Sequence, residues 1–563
     1  MQLQAALATY EKRDSAVIAG TGSGKTLIIA LSILLDNPLS GATITISPLK
    51  RLQLTQAADF CNKYKINTIA INDDTSRTQK FWDEMIYNVK TKTSGTAKHF
   101  IVTTEQMFKS KEGHITRFGN LIRTLAFRKT IRRVFVDEAH FIYFAGTSRY
   151  KIPAFRPSWG RLNEIKIFLP SIPWQVLTAT SPPHVLSVIE AAVLRPGYEL
   201  VQITSNRPNT TYATHCVVKS LDVMENYDCF LTGPLAHQKK ILLFFNYRNL
   251  GRRVASYLNS KLPEFQRSKG LIKHYDSIMS KEYLEKVHTD FAGENGTCKI
   301  LCATSAEAVG IDFADVDIVG YMDIPQDECD DLQRGGRVVR RFGKCGLYVI
   351  FYEPWVLEID VKEFDNPLMD QNDPDRPRGP LKPTSNKKER AALSAILLLQ
   401  GHESTCIRAF KAEYLHDKAP DALQYSGPFC CDRHNDGFNL QDFLPGPIYR
   451  PQQLDSSSKR KPNREKYRLP KAQRVILQRC LEDWRRIEHE ADVLKSVRPR
   501  YFILSDANIA TLAKTCPGLV SSPAGIVALL EETEEWEREW AVKVHRGISC
   551  EFARYSPCWI QRY

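Results

Sequence analysis

No apolar run in this 563-residue chain approaches the roughly 20 residues needed to span a bilayer. The N-terminus also lacks the basic and apolar regions of a secretory leader, which argues for an intracellular protein. Cysteine is sparse: 14 thiols scattered along the chain suit a reduced compartment rather than a disulfide framework. Acid is in deficit, with 64 Asp and Glu against 77 Lys and Arg. The resulting net charge of +13 favours a polyanionic partner, although charge of this kind does not identify one. Hydrophobic content of 43% and charged content of 25% are ordinary for a globular protein, and the length predicts roughly three to four domains.

Against these absences one stretch stands out. Ala19-Gly20-Thr21-Gly22-Ser23-Gly24-Lys25-Thr26 follows the apolar run Ala16–Ile18 and precedes another, Leu27–Leu31. That order reads as strand, glycine-rich loop, helix. Glycines let successive N–H groups turn inward around a phosphate, and the helix N-terminus adds partial positive charge. Lys25 can reach the β- and γ-phosphates, and the Thr26 hydroxyl can ligate Mg²⁺. The grammar is complete, so the chain is expected to bind a nucleoside triphosphate, with Gly20 to Thr26 as the cradle.

Short β-rich runs alternate with amphipathic helical ones: Ala16–Ile18, Thr43–Ile46, Phe100–Thr103, Val134–Val136 and Gln175–Thr178. The pattern resumes at Ile241–Phe245, Lys299–Ala303, Ile318–Tyr321 and Leu347–Phe351. Such alternation predicts an α/β fold with two tandem parallel-sheet lobes, ligands gathering at the carboxyl ends of the strands. Only the first lobe carries a phosphate loop, so a cleft closing over one nucleotide is expected. The strand Val134–Val136 runs into Asp137-Glu138-Ala139-His140, about 110 residues beyond Lys25. Asp137 would hold Mg²⁺ and Glu138 would polarise the attacking water.

Taken with Ser47-Pro48-Leu49, Phe155-Arg156-Pro157, Thr178-Ala179-Thr180, Arg207-Pro208-Asn209 and Gln333-Arg334-Gly335-Gly336-Arg337-Val338-Val339-Arg340, the chain resembles a superfamily-two helicase of the RecQ family over roughly residues 2–352. His274 stands where that family has His in a Tyr-His-Ala-Gly-Leu segment. The resemblance implies two RecA-like lobes and an ATP- and Mg²⁺-dependent DNA helicase of 3′-to-5′ polarity. Its partner would be single-stranded or forked DNA, in repair or recombination. Arg337 and Arg340 would reach the γ-phosphate from the second lobe, with Gln333 beside them and one Arg as a finger. Asp312, in Gly310-Ile311-Asp312, would belong to the nucleotide-sensing motif. Gln2 lies 23 residues before Lys25, the family spacing for the adenine-reading glutamine, with Gln4 as a rival. Ser47, Gln56, Thr104, Arg156 and Thr304 are the implied DNA contacts.

Departures accompany the resemblance. The family has Pro before the glutamate matched by Glu105, and Glu307 stands where it carries small or apolar residues. The aromatic loop after the acidic box reads Phe141-Ile142-Tyr143-Phe144, followed by an insertion at Thr147–Ala154. Those aromatics could stack on unpaired bases or belong to the core. The departures bear on the coupling of hydrolysis to DNA more than on hydrolysis. The chain also starts at the adenine-reading segment, so either upstream sequence is missing or this is a short form.

The expected organisation is lobe 1 over 1–203, lobe 2 over 204–360, a linker over 361–395 and a small helical zinc-binding region over 396–445. A basic linker over 446–472 and a helical C-terminal domain over 473–563 follow. Asp365–Lys388 is rich in Pro, Asp, Asn and Lys and has no sustained apolar period, hence the linker. Cys406, Cys430, Cys431 and His434 resemble the RecQ zinc-binding set, thiolate and imidazole being the donors tetrahedral Zn²⁺ prefers. Cys430 is the doubtful member because it adjoins Cys431; His402 and His416 are alternatives. The basic run between Arg450 and Arg474 suits a phosphate backbone or nuclear import, and equally a solvated linker. Together with DNA it underlies an expected nuclear location. Leu477, Leu481, Trp484, Ile487, Ala491 and Leu494 fall on one helical face, and Ser505 or Asp506 could cap the next helix. No winged-helix wedge is evident. Two rival functions remain open: an RNA helicase, from the Asp-Glu-Ala-His box, and a non-unwinding nucleic-acid-binding relic of a helicase.

Overall fold

The computed structural model describes residues 1–36, 41–109, 113–232, 237–293, 296–304, 316–339, 343–401, 406–434, 436–449, 471–493, 495, 498–515, 520, 522–530, 532 and 536–555. The chain divides into two compact units, Met1–Gln452 and Gln453–Tyr563. No helix among the described residues is long and apolar enough to cross a membrane.

The first unit holds two parallel sheets. In lobe 1 the strands are β1 (Ser15–Ile18), β2 (Ala42–Ile46), β3 (Thr68–Ile71), β4 (His99–Val102), β5 (Ile131–Asp137), β6 (Trp174–Thr178) and β7 (Glu199–Gln202). They lie in the order β3-β4-β2-β5-β6-β1-β7. Lobe 2 has β8 (Thr210–Cys216), β9 (Ile241–Phe245), β10 (Ile272–Tyr275), β11 (Ile300–Thr304), β12 (Ile318–Met322) and β13 (Gly346–Tyr352), in the order β8-β13-β12-β9-β11-β10. The central strands are buried on both faces; β9 and β13 accordingly read as unbroken apolar runs, whereas β2, Ala-Thr-Ile-Thr-Ile, carries two buried threonines. Because β1 and β5 flank β6, the segments leaving their carboxyl ends emerge together. The phosphate loop and the acidic box therefore share one rim.

The helices that position the site are α1 (Gln2–Tyr10), α2 (Lys25–Leu34), α3 (Lys50–Lys63), α4 (Pro183–Val193), α5 (Glu328–Gly335), α6 (Leu393–Gln400) and α7 (Ile407–Tyr414). Helix α6 is buried almost all round and packs into the core of lobe 2.

The stretch expected as a linker, 361–395, is folded against both lobes. Asp373, Asp375 and Arg376 are buried. Asp373 accepts hydrogen bonds from the Tyr143 and Tyr150 hydroxyls, and the Leu381 N–H donates to the Tyr150 carbonyl. Asp373, Asp375 and Arg376 persist in the interior because each finds a partner, while most other charged residues of the stretch stay exposed. We call this segment the strap.

The second unit is helical where described: α8 (Lys471–Ala491), α9 (Asp506–Lys514), α10 (Pro523–Leu530) and α11 (Val542–Tyr555). Ser505 caps α9, its Oγ accepting from the Asn508 N–H at 3.0 Å. Leu477 and Leu481 face the core with Trp540, but Ile487 is 57% exposed, so the apolar face of α8 is shorter than its periodicity predicts. Leu494 and the basic run 450–470 lie outside the described residues.

Candidate nucleotide site and its surroundings

Helix α2 begins at Lys25, and Gly24 before it takes a φ of +82°, a conformation that favours glycine. The Lys25 ammonium donates to the Ala19 carbonyl at 2.8 Å and to Gly20 at 3.3 Å, so it lies over the loop. Thr26 follows one position into the helix. The Ser23 hydroxyl oxygen is buried without a hydrogen-bond partner among the described residues. Gln2 donates from Nε2 to the Ser23 carbonyl at 2.9 Å, and a Cβ added to Gly24 would sit 3.0 Å from that nitrogen. Gln4 points elsewhere, to Glu199. Of the two glutamines, Gln2 is the one on the phosphate loop.

Asp137 ends β5. Its Oδ2 accepts from Gln56 Nε2 at 2.8 Å and its Oδ1 from the Glu138 N–H at 3.0 Å. Burial, reinforced by the neighbouring Glu138 charge, pushes the Asp137 carboxyl up to about 6, with Gln56 and Lys25 opposing the rise. A buried carboxylate of this kind is suited to a divalent cation. Glu138 adopts a φ of +51°, a conformation uncommon for a side-chain-bearing residue. Its Oε2 is buried, makes no hydrogen bond among the described residues and lies 3.4 Å from His140 Nδ1.

His140 links the acidic box to both lobes. Nδ1 lies 3.0 Å from Thr178 Oγ1, and Nε2 lies 2.8 Å from Gln333 Nε2 on α5. Burial pushes the imidazole down to about 3, so it is neutral at physiological pH. Gln333 also reaches Thr180 Oγ1 at 3.4 Å.

Immediately beyond α5, a Cβ on Gly336 would meet Thr21 Oγ1 at 3.0 Å. The backbone of lobe 2 thus rests on the phosphate loop of lobe 1. Arg207 pins this segment by donating to the carbonyls of Gly336, Val338 and Val339 at 2.8, 2.7 and 2.7 Å. Arg337, within it, is 8% exposed. Arg334 is spent on structure, paired with Asp330 and stacked on the Tyr321 ring at 3.7 Å. Arg340 and Asp312 lie outside the described residues, as do Glu307 and Gly310.

The residues expected on nucleic acid are placed differently. Ser47, Thr104 and Thr304 lie at or just past the carboxyl ends of β2, β4 and β11, along the same rim in both lobes. The side chains of several are committed inside the protein. Gln56 serves Asp137; Thr104 is buried and bonded to Ser158 Oγ at 2.7 Å. Arg156 makes a bidentate pair with Glu105 at 2.8 and 2.7 Å and donates to the Pro48 carbonyl. Glu105, which matches the family glutamate, positions Arg156, while Thr104, standing where the family has Pro, bonds Ser158 beside that pair. Ser47 Oγ is buried and unpartnered among the described residues, and Thr304 is half-buried. In the aromatic loop Ile142 and Tyr143 are core, and Phe141 packs on Trp159, whereas Phe155 is 86% exposed.

Cys406, Cys430, Cys431 and His434 converge, their ligand atoms all within 4.8 Å of one another. Cys406 Sγ is 3.6 Å from Cys430 Sγ and 4.0 Å from Cys431 Sγ. Thiolates at about 2.3 Å from a tetrahedral Zn²⁺ stand roughly 3.8 Å apart, so the donor set and its spacing fit that ion. Cys430 belongs to this cluster despite adjoining Cys431, His416 is not among its members, and His402 lies outside the described residues. Arg408, one helical position beyond Ile407, donates to Cys430 Sγ and to the carbonyls of Arg207 and Thr210. The cysteine pair also joins the edge of lobe 2, where Tyr212 N–H donates to the Cys430 carbonyl.

Sequence reasoning missed Lys411. It is buried, donates to Glu328 at 2.5 Å and contacts Asp331. A single lysine on the apolar face formed by Ile407, Phe410 and Tyr414 was the available signal.

Residues 1–187 match the DEAD/DEAH box helicase family and 224–342 the helicase conserved C-terminal domain. Among curated proteins, the ATP-dependent DNA helicase hus2/rqh1 of Schizosaccharomyces pombe is 26% identical over 355 residues, 62% of this chain and 24% of its own. The ATP-dependent DNA helicase RecQ of Pasteurella multocida is 27% identical, over 64% of this chain and 51% of its own. The RecQ protein of Bacillus subtilis is 25% identical, over 75% and 62%. The chain therefore spans less than two thirds of the length of each of these relatives. Among solved structures, Mycobacterium smegmatis helicase Lhr bound to ssDNA and AMP-PNP aligns with 23% identity and a TM-score of 0.46, over 64% of this chain and 47% of that one.

Proposed function

We infer, from a chain that belongs to the RecQ-like superfamily-two helicases, an ATP-driven motor that moves 3′ to 5′ on single-stranded DNA. The observation that carries this reading is the seam between the lobes, where Gly336 abuts Thr21 and Gln333 meets His140. A site made of two bodies can be opened and closed, and hydrolysis at such a seam converts chemistry into relative motion.

In this reading the phosphates of ATP lie on the loop 20–26, with Lys25 neutralising the transferred phosphoryl group and Gln2 beside the adenine. Thr26 and Asp137 would hold Mg²⁺, which supplies charge neutralisation across the phosphates. Glu138 orients and polarises the attacking water with Oε2, which no hydrogen bond holds among the described residues. Arg337 and Arg340 enter from lobe 2 to stabilise charge on the phosphoryl group in the transition state. DNA runs along the carboxyl rim past Ser47 and Thr304, held there mainly through main-chain groups. Gln56, Thr104 and Arg156 act behind that rim by fixing Asp137 and the loop around Pro48. Zn²⁺ on Cys406, Cys430, Cys431 and His434 would anchor α7 to the edge strand of lobe 2. The DNA partner and the basic run at 450–474 support a nuclear location and a part in repair or recombination.

Two assays run together test the function: ATP turnover with matched DNA and RNA strands, and unwinding of a forked duplex. The reading expects stimulation by DNA above RNA and unwinding with the fork. Stimulation by RNA alone supports the RNA motor, because only RNA offers 2′-hydroxyls. Neither stimulation nor unwinding supports a non-unwinding relic. Lys25→Ala should abolish turnover while leaving most DNA affinity, and unchanged turnover would remove the site assignment.

A further inference from the structure

A second group of metal-ligating side chains lies away from the nucleotide site, where the strap crosses lobe 1. His184, at the start of α4, faces Asp373 and Asp375 of the strap, with the three ligand atoms within 4.8 Å of one another. Both carboxylates are more than nine-tenths buried. His184 Nε2 is itself buried and has no hydrogen-bond partner among the described residues. It stands 3.6 Å from Asp375 Oδ2 and 3.9 Å from Asp373 Oδ1, too far to donate a hydrogen bond to either.

The 3.6 Å separation is that of two ligands on one ion, and the 3.9 Å one is a few tenths of an ångström wider. Ligands about 2.1 Å from one cation stand roughly 3.0 to 3.6 Å apart. The outer partners are also in place. Asp373 accepts from the hydroxyls of Tyr143 and Tyr150 at 3.0 and 2.7 Å, and Asp375 accepts from Tyr414 at 2.5 Å. Such bonds orient carboxylate ligands and leave Asp373 Oδ1 and Asp375 Oδ2, the oxygens nearest His184, each with a further lone pair. The His184 ring is held edge-on between the Tyr143 and Tyr414 rings.

Charge points the same way. Asp327 lies close enough to feel both Asp375 and Arg149. The two carboxylates that face His184 lie in a largely buried space, poorly solvated by water. Uncompensated buried charge is costly, and a divalent cation cancels it.

We propose that His184, Asp373 and Asp375 bind a divalent transition-metal ion of the zinc or manganese kind that staples the strap to lobe 1. One imidazole and two carboxylates suit such an ion better than Mg²⁺ or Ca²⁺, which prefer all-oxygen sites. The ion joins α4, the strap and, through Tyr143 and Tyr150, the loop that follows the acidic box. It is independent of the cysteine set at Cys406, and its existence does not depend on which nucleic acid the chain engages.

Cobalt distinguishes the two metal sites. The full chain, stripped with chelator and freed of nucleotide and Mg²⁺, is reloaded with Co²⁺ and its metal content is measured beside its absorption spectrum. Cobalt on cysteine gives an intense thiolate charge-transfer band; cobalt on imidazole and carboxylate gives none. We expect bound cobalt in excess of what the thiolate band accounts for. His184→Gln should remove one equivalent and leave that band intact, while Cys406→Ser should weaken the band and spare the excess. Asp373→Asn, which keeps an acceptor for both tyrosines, serves as a second variant and should also lose one equivalent. Cobalt wholly accounted for by the thiolate band, or equal binding by the wild type, His184→Gln and Asp373→Asn, overturns the proposal and leaves an ordered water between the three side chains.

Discussion

Gln333 and His140 meet across the two lobes, Nε2 to Nε2, at 2.8 Å. An amide nitrogen can only donate, so the imidazole Nε2 accepts and its proton sits on Nδ1, directed at Thr178 Oγ1. Thr178 in turn donates to the Thr180 carbonyl. One directed chain therefore runs from the arginine-bearing helix of lobe 2, through the acidic box, to the strand end that carries Thr178.

Breaking that chain should affect turnover more than binding. Gln333→Ala leaves His140 Nε2 buried without its donor, a loss of about 1.4 kcal/mol, or roughly tenfold. DNA-stimulated kcat is expected to fall about tenfold, with nucleotide affinity within a factor of about two. Steady-state ATPase with and without DNA, beside fluorescent-nucleotide titration, checks this.

Gln56 was assigned to DNA by resemblance, but its amide holds Asp137. Gln56→Ala should therefore lower ATP turnover by about tenfold, the worth of one hydrogen bond to a charged group. Affinity for single-stranded DNA without nucleotide should stay within about twofold of the wild type. Fluorescence anisotropy with a labelled oligonucleotide provides the comparison, and a large loss of affinity would restore the contact role.

The nucleotide half of the site was legible because a phosphate loop and an acidic box are local: strand, turn and side chain lie within a few residues of one another. The central strands were legible for the same reason, being buried on both faces and mostly apolar. Strands β3, β7 and β10 were missed because they are only four residues long, and the longer β8 because Thr-Thr-Tyr-Ala-Thr-His-Cys is of mixed polarity. The strap misled for a deeper reason. Asp373 and Asp375 look solvated in sequence, but Tyr143, Tyr150 and Tyr414, which bury and bond them, lie 230, 223 and 39 residues away. No local pattern carries that information.

Lys411 is held between Glu328 and Asp331 in the interior. Burial would lower the lysine, but the two carboxylates hold it above its usual value. Burial pushes Glu328 up to about 8, with Lys411 opposing, so near pH 7 the trio is close to neutral. Glu328 binds a proton more tightly folded than unfolded, so its protonated form stabilises the fold. That contribution is complete below about pH 4.5 and disappears as pH rises through about 8. Glu328→Gln mimics the protonated acid: its melting temperature should match the wild type near pH 5 and exceed it above about pH 8. Lys411→Met, which removes the buried cation from Glu328 and Asp331, should cost about 3 to 5 kcal/mol at neutral pH.

The claim on which the rest turns is that lobe 2 completes the hydrolytic site by way of the segment resting on Thr21. The most direct measurement is single-turnover ATP hydrolysis by Arg337→Ala, saturated with nucleotide and DNA, alongside its nucleotide Kd. The account predicts a rate at least about 10³-fold below the wild type with a Kd changed only a few-fold, the signature of an arginine acting on the transition state. A rate within about threefold of the wild type would contradict it, leaving hydrolysis to lobe 1 alone.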